Sequence, residues 1–158
     1  MSTVQFVTGD GSVFYIAENV ARQSRTIADL IDEVGVEGDD GPILIPIPNV
    51  SAETLDTILH FCEFNSEYHS KDDVEEFDSK FFDTESKRLL EIVSAANFLN
   101  IPDLLDKSCT AVALLLRGKS PSELRDILGI NTEYTQEEKE AVIKENRWAF
   151  PESKVIYP

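Results

Sequence analysis

Two histidines, two cysteines and thirty carboxylates are the side chains from which catalysis or metal binding would be built in this sequence. His60 stands two residues before Cys62. On a helix that spacing points the two side chains apart, so it suits neither a Cys–His nucleophile nor a metal pair. Cys62 and Cys109 form no CxxC and no Cys/His cluster with zinc spacing, so neither a disulfide framework nor a metal is expected. That cysteine usage fits a reducing compartment. Carboxylates recur at i+3 and i+4, as at Asp29 with Asp32 and Glu33. Acid–base work needs a pocket that drives two such pKa values apart, and this pattern reads instead as a solvated face. Gly9-Asp10-Gly11 is too short to cradle a phosphate, and Asp39-Asp40-Gly41 lacks the rest of a calcium loop. No GxGxxG, GxxxxGK[ST] or GxSxG occurs. The chemistry points to interaction rather than catalysis, with no cofactor expected.

The elements that would position these residues are readable from spacing. Val4–Thr8 and Val13–Ile16 flank Gly9-Asp10-Gly11 as a β-hairpin. Residues 18–24 read as a short helix. Thr26 is placed to cap a second, with Ile27, Leu30, Ile31 and Val34 on one face and Gly35 as its stop. Glu37–Pro42 is an acidic, glycine-rich loop. Ile43–Pro48 is extended, and its prolines put it at a sheet edge. Ser51 caps a helix whose Leu55, Ile58, Leu59 and Cys62 share a face. In the sequon Asn49-Val50-Ser51 that cap is the simpler reading.

Residues 65–83 break all periodicity and read as a mobile acidic loop. Leu89, Leu90, Ile92, Val93 and Ala96 restore a helical pattern, which Asn100-Ile101-Pro102 ends. Leu105, Cys109, Val112 and Leu116 stripe the next helix, closed by Gly118. Ser120-Pro121-Ser122-Glu123 and Thr135-Gln136-Glu137-Glu138 are capping boxes. They open helices over 120–128, stopped by Gly129, and over 135–147, ending near Trp148. Both are short, with no evident reason to fold alone. Their apolar faces, with Trp148 and Phe150, dock on the body or await a partner.

Composition narrows the partners. The chain has 158 residues, enough for one domain with an appendage, and 42% of them are hydrophobic, enough for a core. Fourteen Lys and Arg against thirty Asp and Glu leave a net charge of −16. That excludes nucleic acid and anionic membrane surfaces as expected partners. It favours basic partners, or partners gripped through apolar grooves. The N-terminus has no signal-peptide pattern, and the longest apolar run, Ala111–Leu116, is far below a membrane span.

Seven segments, in order, carry a resemblance to a known family. Gly9-Asp10-Gly11, Gln23-Ser24 and Ile45-Pro46-Ile47-Pro48-Asn49-Val50 resemble its N-terminal elements. Ser94–Ile101 with Leu104-Leu105-Asp106 resembles its helix-turn-helix core. Arg117–Arg125 is similar to its GKTPEEIR element and Lys144-Glu145-Asn146-Arg147-Trp148 to its KENxW signature. The family is Skp, the S-phase kinase-associated adaptors of SCF (Skp–cullin–F-box) ubiquitin ligases, and the resemblance runs from about residue 4 to 150.

The resemblance implies an α/β (α+β) BTB/POZ fold over 1–105, with a small N-terminal sheet and helices. It implies two C-terminal F-box-binding helices over 106–150 and a tail over 151–158. The implied role is a non-catalytic bridge that binds a cullin N-terminal domain and an F-box protein, in cytoplasm and nucleus. F-box contact is implied for Cys109, Val112, Leu116, Leu124, Ile127, Leu128, Ile130, Tyr134, Val142, Ile143 and Trp148, with Trp148 as anchor. Cullin contact is implied for Asn97 and Phe98.

Departures from the family pattern are Gln136 in place of a frequent proline, Ala149 in place of a frequent cysteine, the compact 65–83 segment and the tail. They suggest a divergent paralogue with restricted receptors. The rival reading is a self-associating BTB scaffold outside ubiquitin ligases, homodimeric when unpartnered. An enzyme using the carboxylates or His60 is the third.

Overall fold

The computed structural model describes residues 3–34, 41–131 and 134–149. Gly35, most of the Glu37–Pro42 loop, Phe150 and the tail therefore lie outside the described residues. The chain divides into two compact units, Met1–Leu115 and Leu116–Pro158.

The first unit begins with the expected hairpin, β1 (Thr3–Thr8) against β2 (Val13–Ala17), antiparallel with Phe6 opposite Phe14. Its turn is held by Asp10, whose Oδ1 accepts from the Thr8 hydroxyl and the Ser12 N–H. Those bonds keep the Asp10 carboxyl below the usual carboxylate range. Gly11 takes φ +86°, a conformation glycine adopts without strain. β3 (Ile43–Ile47) adds parallel to β1, giving the order β2-β1-β3, so the proline-bearing segment is an edge strand as its sequence requires. Val4, Phe6, Ile16, Ile45 and Ile47 point to one side and are buried.

Helices α1 (Glu18–Ala21), α2 (Arg25–Val34), α3 (Ala52–Asn65) and α5 (Ser86–Leu99) cover that side. The Ser51 hydroxyl caps α3 by accepting from the Thr54 N–H at 3.2 Å, and Leu55, Ile58, Leu59 and Cys62 are buried as their spacing predicts. Phe61, wholly buried, joins them. α5 buries Leu89, Ile92, Ala95, Ala96 and Leu99. Each large apolar side chain so buried contributes about 1.5–3 kcal/mol.

Two expectations fail here. α2 is capped by Ser24, whose Oγ accepts from the Ile27 N–H, because Thr26 already lies inside the helix. Its buried face is narrower than the spacing implied: Ile27 and Ile31 are buried, whereas Leu30 and Val34 are exposed.

The larger correction is residues 65–83, which contain a helix, α4 (Lys71–Phe81), rather than a mobile loop. Ser70 and Asp73 form a complete capping box at its start, which lowers the Asp73 carboxyl pKa. Phe77, Phe81 and Phe82 gather around Phe61 with ring centroids 5.3–6.4 Å apart. Phe64 is stacked between His69 and Phe77 at 3.8 and 3.9 Å. Lys107, on α6 (Pro102–Leu116), pairs with Asp78 at 2.8 Å and lies over the Phe61 ring. The acidic density of the stretch hides an apolar period at Val74, Phe77 and Phe81.

The second unit holds α7 (Pro121–Leu128), α8 (Gln136–Glu145) and a 3-10 turn, Arg147–Ala149. Both helices carry the expected boxes, Ser120 with Glu123 and Thr135 with Glu138. Gly129 ends α7 at φ +67°, and the Ile130 N–H closes the cap by donating to the Arg125 carbonyl at 2.9 Å. No described residue of this unit is buried.

Candidate protein-interaction surfaces

The end of α5 is built to hold its last side chains still. Asn100 takes the left-handed conformation, φ 50°, and the Ile101 N–H returns to the Ala96 carbonyl at 3.0 Å. The next carbonyls are taken up by the start of α2: Thr26 Oγ1 donates to the Phe98 oxygen at 3.3 Å, Ser24 Oγ to that of Leu99, and the Arg25 N–H to that of Asn100 at 3.0 Å. Asn97 and Phe98 therefore sit on a fixed final turn, both exposed, with Phe98 45% so. An aromatic ring left that open on a tied backbone suits contact with another protein.

Phe98 also borders an open groove of about 390 Å³. Asn49, Val50, Ser51 and Thr54 line one side, and Glu91, Ser94 and Ala95 of α5 the other. Arg88 pairs with Glu53 and donates to Thr57 Oγ1 at 2.8 Å, which ties α5 to α3 at the start of both helices. The Asn49–Ser51 stretch, Thr54 and α5 thus line one groove beside Phe98.

The remaining candidates lie on α6 and in the second unit. On α6, Cys109 is exposed while Val112 and Leu116 are half-buried. The buried positions of that helix are Leu104 and Ser108, so the predicted stripe is not the face it buries. Leu114, 64% exposed, was not singled out by sequence, because Ala111–Leu116 is apolar all round and gives no direction. In the second unit, Leu124, Ile127 and Ile143 are half-buried, and Leu128, Ile130, Tyr134 and Val142 are exposed. The Arg125 guanidinium lies over the Tyr134 ring at 5.6 Å. Trp148, on the 3-10 turn, is 85% exposed.

Catalytic geometry does not appear among the described residues. The Cys62 thiol is buried and, chiefly through that burial, pushed up to about 12, so it stays protonated and unreactive. Both cysteines are free. No cluster of His, Cys, Asp or Glu among the described residues has the arrangement to hold a metal. Among the described residues no helix is long and apolar enough to cross a membrane.

Comparison with known proteins agrees with the folded pattern. Residues 2–67 match the family model described as Skp1 family, tetramerisation domain, and residues 102–149 match Skp1 family, dimerisation domain. SKP1-like protein 12 of Arabidopsis thaliana is 38% identical over 154 residues, covering 93% of this chain and 96% of that protein. The chain belongs to the Skp1 family. Another relative, SCF ubiquitin ligase complex protein SKP1a of Dictyostelium discoideum, is 36% identical over 159 residues, covering 94% of this chain and 96% of that protein. This Skp1-family chain has the α/β BTB/POZ-type fold, its first matched block spanning the sheet and α1 to α3 and its second α6 to the 3-10 turn. Helix α4, the element sequence reading missed, falls between the two blocks.

Proposed function

We propose that this chain is the adaptor of an SCF-type ubiquitin ligase, bridging a cullin to F-box substrate receptors. The observation that carries the reading is the second unit: capped helices with no buried residue and a set of exposed apolar side chains ending in Trp148. Such helices are half of a core that another protein completes. The F-box face comprises Cys109, Val112 and Leu116 of α6 and Leu124, Ile127, Leu128, Ile130, Tyr134, Val142, Ile143 and Trp148. An obligate interface of this apolar kind buries more than about 2,000 Å². The cullin face comprises Asn97 and Phe98. In this reading residues 1–105 serve the cullin and 106–150 the F-box, no residue is catalytic, and the chain works in cytoplasm and nucleus. It acts by raising the effective concentration of substrate at the ligase.

Size-exclusion chromatography with light scattering tests the reading, first with an F-box domain and then with a cullin N-terminal domain added. A ternary peak is expected. An F-box complex that leaves cullin unbound would mark a paralogue outside the ligase. The same exposed side chains also favour a self-associating scaffold. A dimer that persists on dilution and excludes the F-box would replace the adaptor reading.

A further inference from the structure

We propose that the cleft between the free edge of β2 and helix α3 binds an extended basic peptide by adding it to the sheet as a fourth strand. β2 stands first in the order β2-β1-β3, so among the described residues one of its edges is unpaired. The Thr8 N–H donates to the Ser12 carbonyl at 3.0 Å, which sets the phase of the hairpin. Alternate pairs then exchange both bonds, as Phe6–Phe14 and Val4–Ile16 do in this register. The N–H and C=O groups of Val13 and Tyr15 and the N–H of Ala17 are left turned outward, while the Ala17 carbonyl, at the N-cap of α1, takes the first bond of that helix. The opposite edge, on β3, is interrupted by Pro46, which has no N–H to offer.

A cleft of about 240 Å³ runs beside this open edge. Phe14, Tyr15 and Ile16 form its strand side, and Asp56, Leu59, His60 and Glu63 its helix side. Leu59 is buried as the floor, while Asp56, His60 and Glu63 are exposed above it. Asp56 and Glu63 enter no salt bridge among the described residues. They are separated by about 10 Å along the helix, and alternate residues of an added strand by about 6.6 Å. Lysine or arginine at alternate positions of a bound segment would therefore reach both carboxylates.

The other face of the added strand would continue the outer face of the sheet. There Val13, Tyr15 and Leu44 are exposed, so apolar, β-branched residues fit between the basic ones. Charge decides against a second copy of this chain as occupant. Each copy carries −16, and the edge sequence Val13–Ala17 holds no basic residue to face Asp56 and Glu63. The recognition mode is strand addition, with main-chain bonds giving affinity and alternate side chains giving specificity. It uses none of the residues assigned to the F-box or the cullin, so its test stands apart from that reading.

The test is fluorescence anisotropy of the full chain with a fluorescein-labelled Thr-Lys-Val-Lys-Val-Lys-Thr peptide at physiological salt. Saturable one-to-one binding is expected. It should weaken about tenfold or more when Asp56→Lys and Glu63→Lys are combined. Tyr15→Pro, which removes an outward N–H without touching the bonds to β1, should abolish it. Circular dichroism checks that both variants fold. Should Tyr15→Pro not fold, N-methylation of the peptide's central Lys amide, and of a flanking Val amide, takes its place, and at least one must abolish binding. Equal affinity of the charge-reversed variant, or of a Lys-Lys-Lys-Val-Val block peptide, would overturn the proposal by showing non-specific attraction. Undiminished binding to Tyr15→Pro, or to both methylated peptides, or a complex containing two protein chains, would overturn it as well.

Discussion

Helices α3 and α8 are both amphipathic and both begin with a side-chain cap, yet they are stabilised by opposite means. α3 buries six residues, including Phe61 at the centre of an aromatic group. α8 buries none. The contrast extends across the molecule. The three helices with complete capping boxes, α4, α7 and α8, are those of eight or more residues with no buried position. α5, with five buried residues, has no side-chain bond at its N-cap at all. A cap is worth about 1 kcal/mol, less than one well-buried leucine. Where packing is strong the cap is dispensable. Where a helix buries no residue fully, local bonds carry a larger share of what holds it.

The sharpest way to break this comparison is to remove one large side chain from each region. Phe61→Ala should destabilise the fold by about 3–5 kcal/mol, lowering Tm by on the order of 10 °C in a calorimetric scan. Trp148→Ala should leave Tm unchanged and weaken F-box binding by at least about 30-fold, read by titration calorimetry. A loss of thermal stability in Trp148→Ala would make that ring part of the chain's own core and end the distinction.

Phe98→Lys should weaken cullin binding about tenfold or more without moving F-box affinity, since it changes an exposed ring on a backbone that is held independently of it. Unchanged cullin affinity would remove Phe98 from the interface. The smallest effect is in acid. The Asp73 and Glu123 carboxyls are held below their ordinary values by their capping bonds with Ser70 and Ser120. Their contribution is present above the ordinary carboxylate pKa near 4 and fades as pH falls through the lowered values. Amide exchange followed from pH 5 to pH 2 should show α4 and α7 opening before α3 and α5. Simultaneous opening would mean that the caps do not govern these helices.

Much of the architecture was legible because it is written in local chemistry. The Ser51, Ser120 and Thr135 caps, the Asn100 break and the edge placement of the Ile43–Pro48 segment follow from single residues whose backbone preferences leave little choice. What was missed depends on tertiary context. The α4 period at Val74, Phe77 and Phe81 acquires meaning only beside Phe61 and Phe64, which other chain segments supply. Leu30 and Val34 lie near the apolar face of α2, yet only Ile27 and Ile31 meet the sheet-backed core. At the candidate interfaces, sequence placed Phe98 and Trp148, and the structure leaves both exposed. Sequence gave no means of ranking Leu114 against its apolar neighbours.

Trp148 is the single tryptophan of the chain and stands in water. Its indole emission therefore reports on one place, the end of the second unit, and is silent about the core. Docking of an apolar partner there would shift that emission to the blue, whereas unfolding of the core around Phe61 would leave it almost unmoved. The chain thus carries a label-free optical probe of partner occupancy, already uncoupled from its own denaturation.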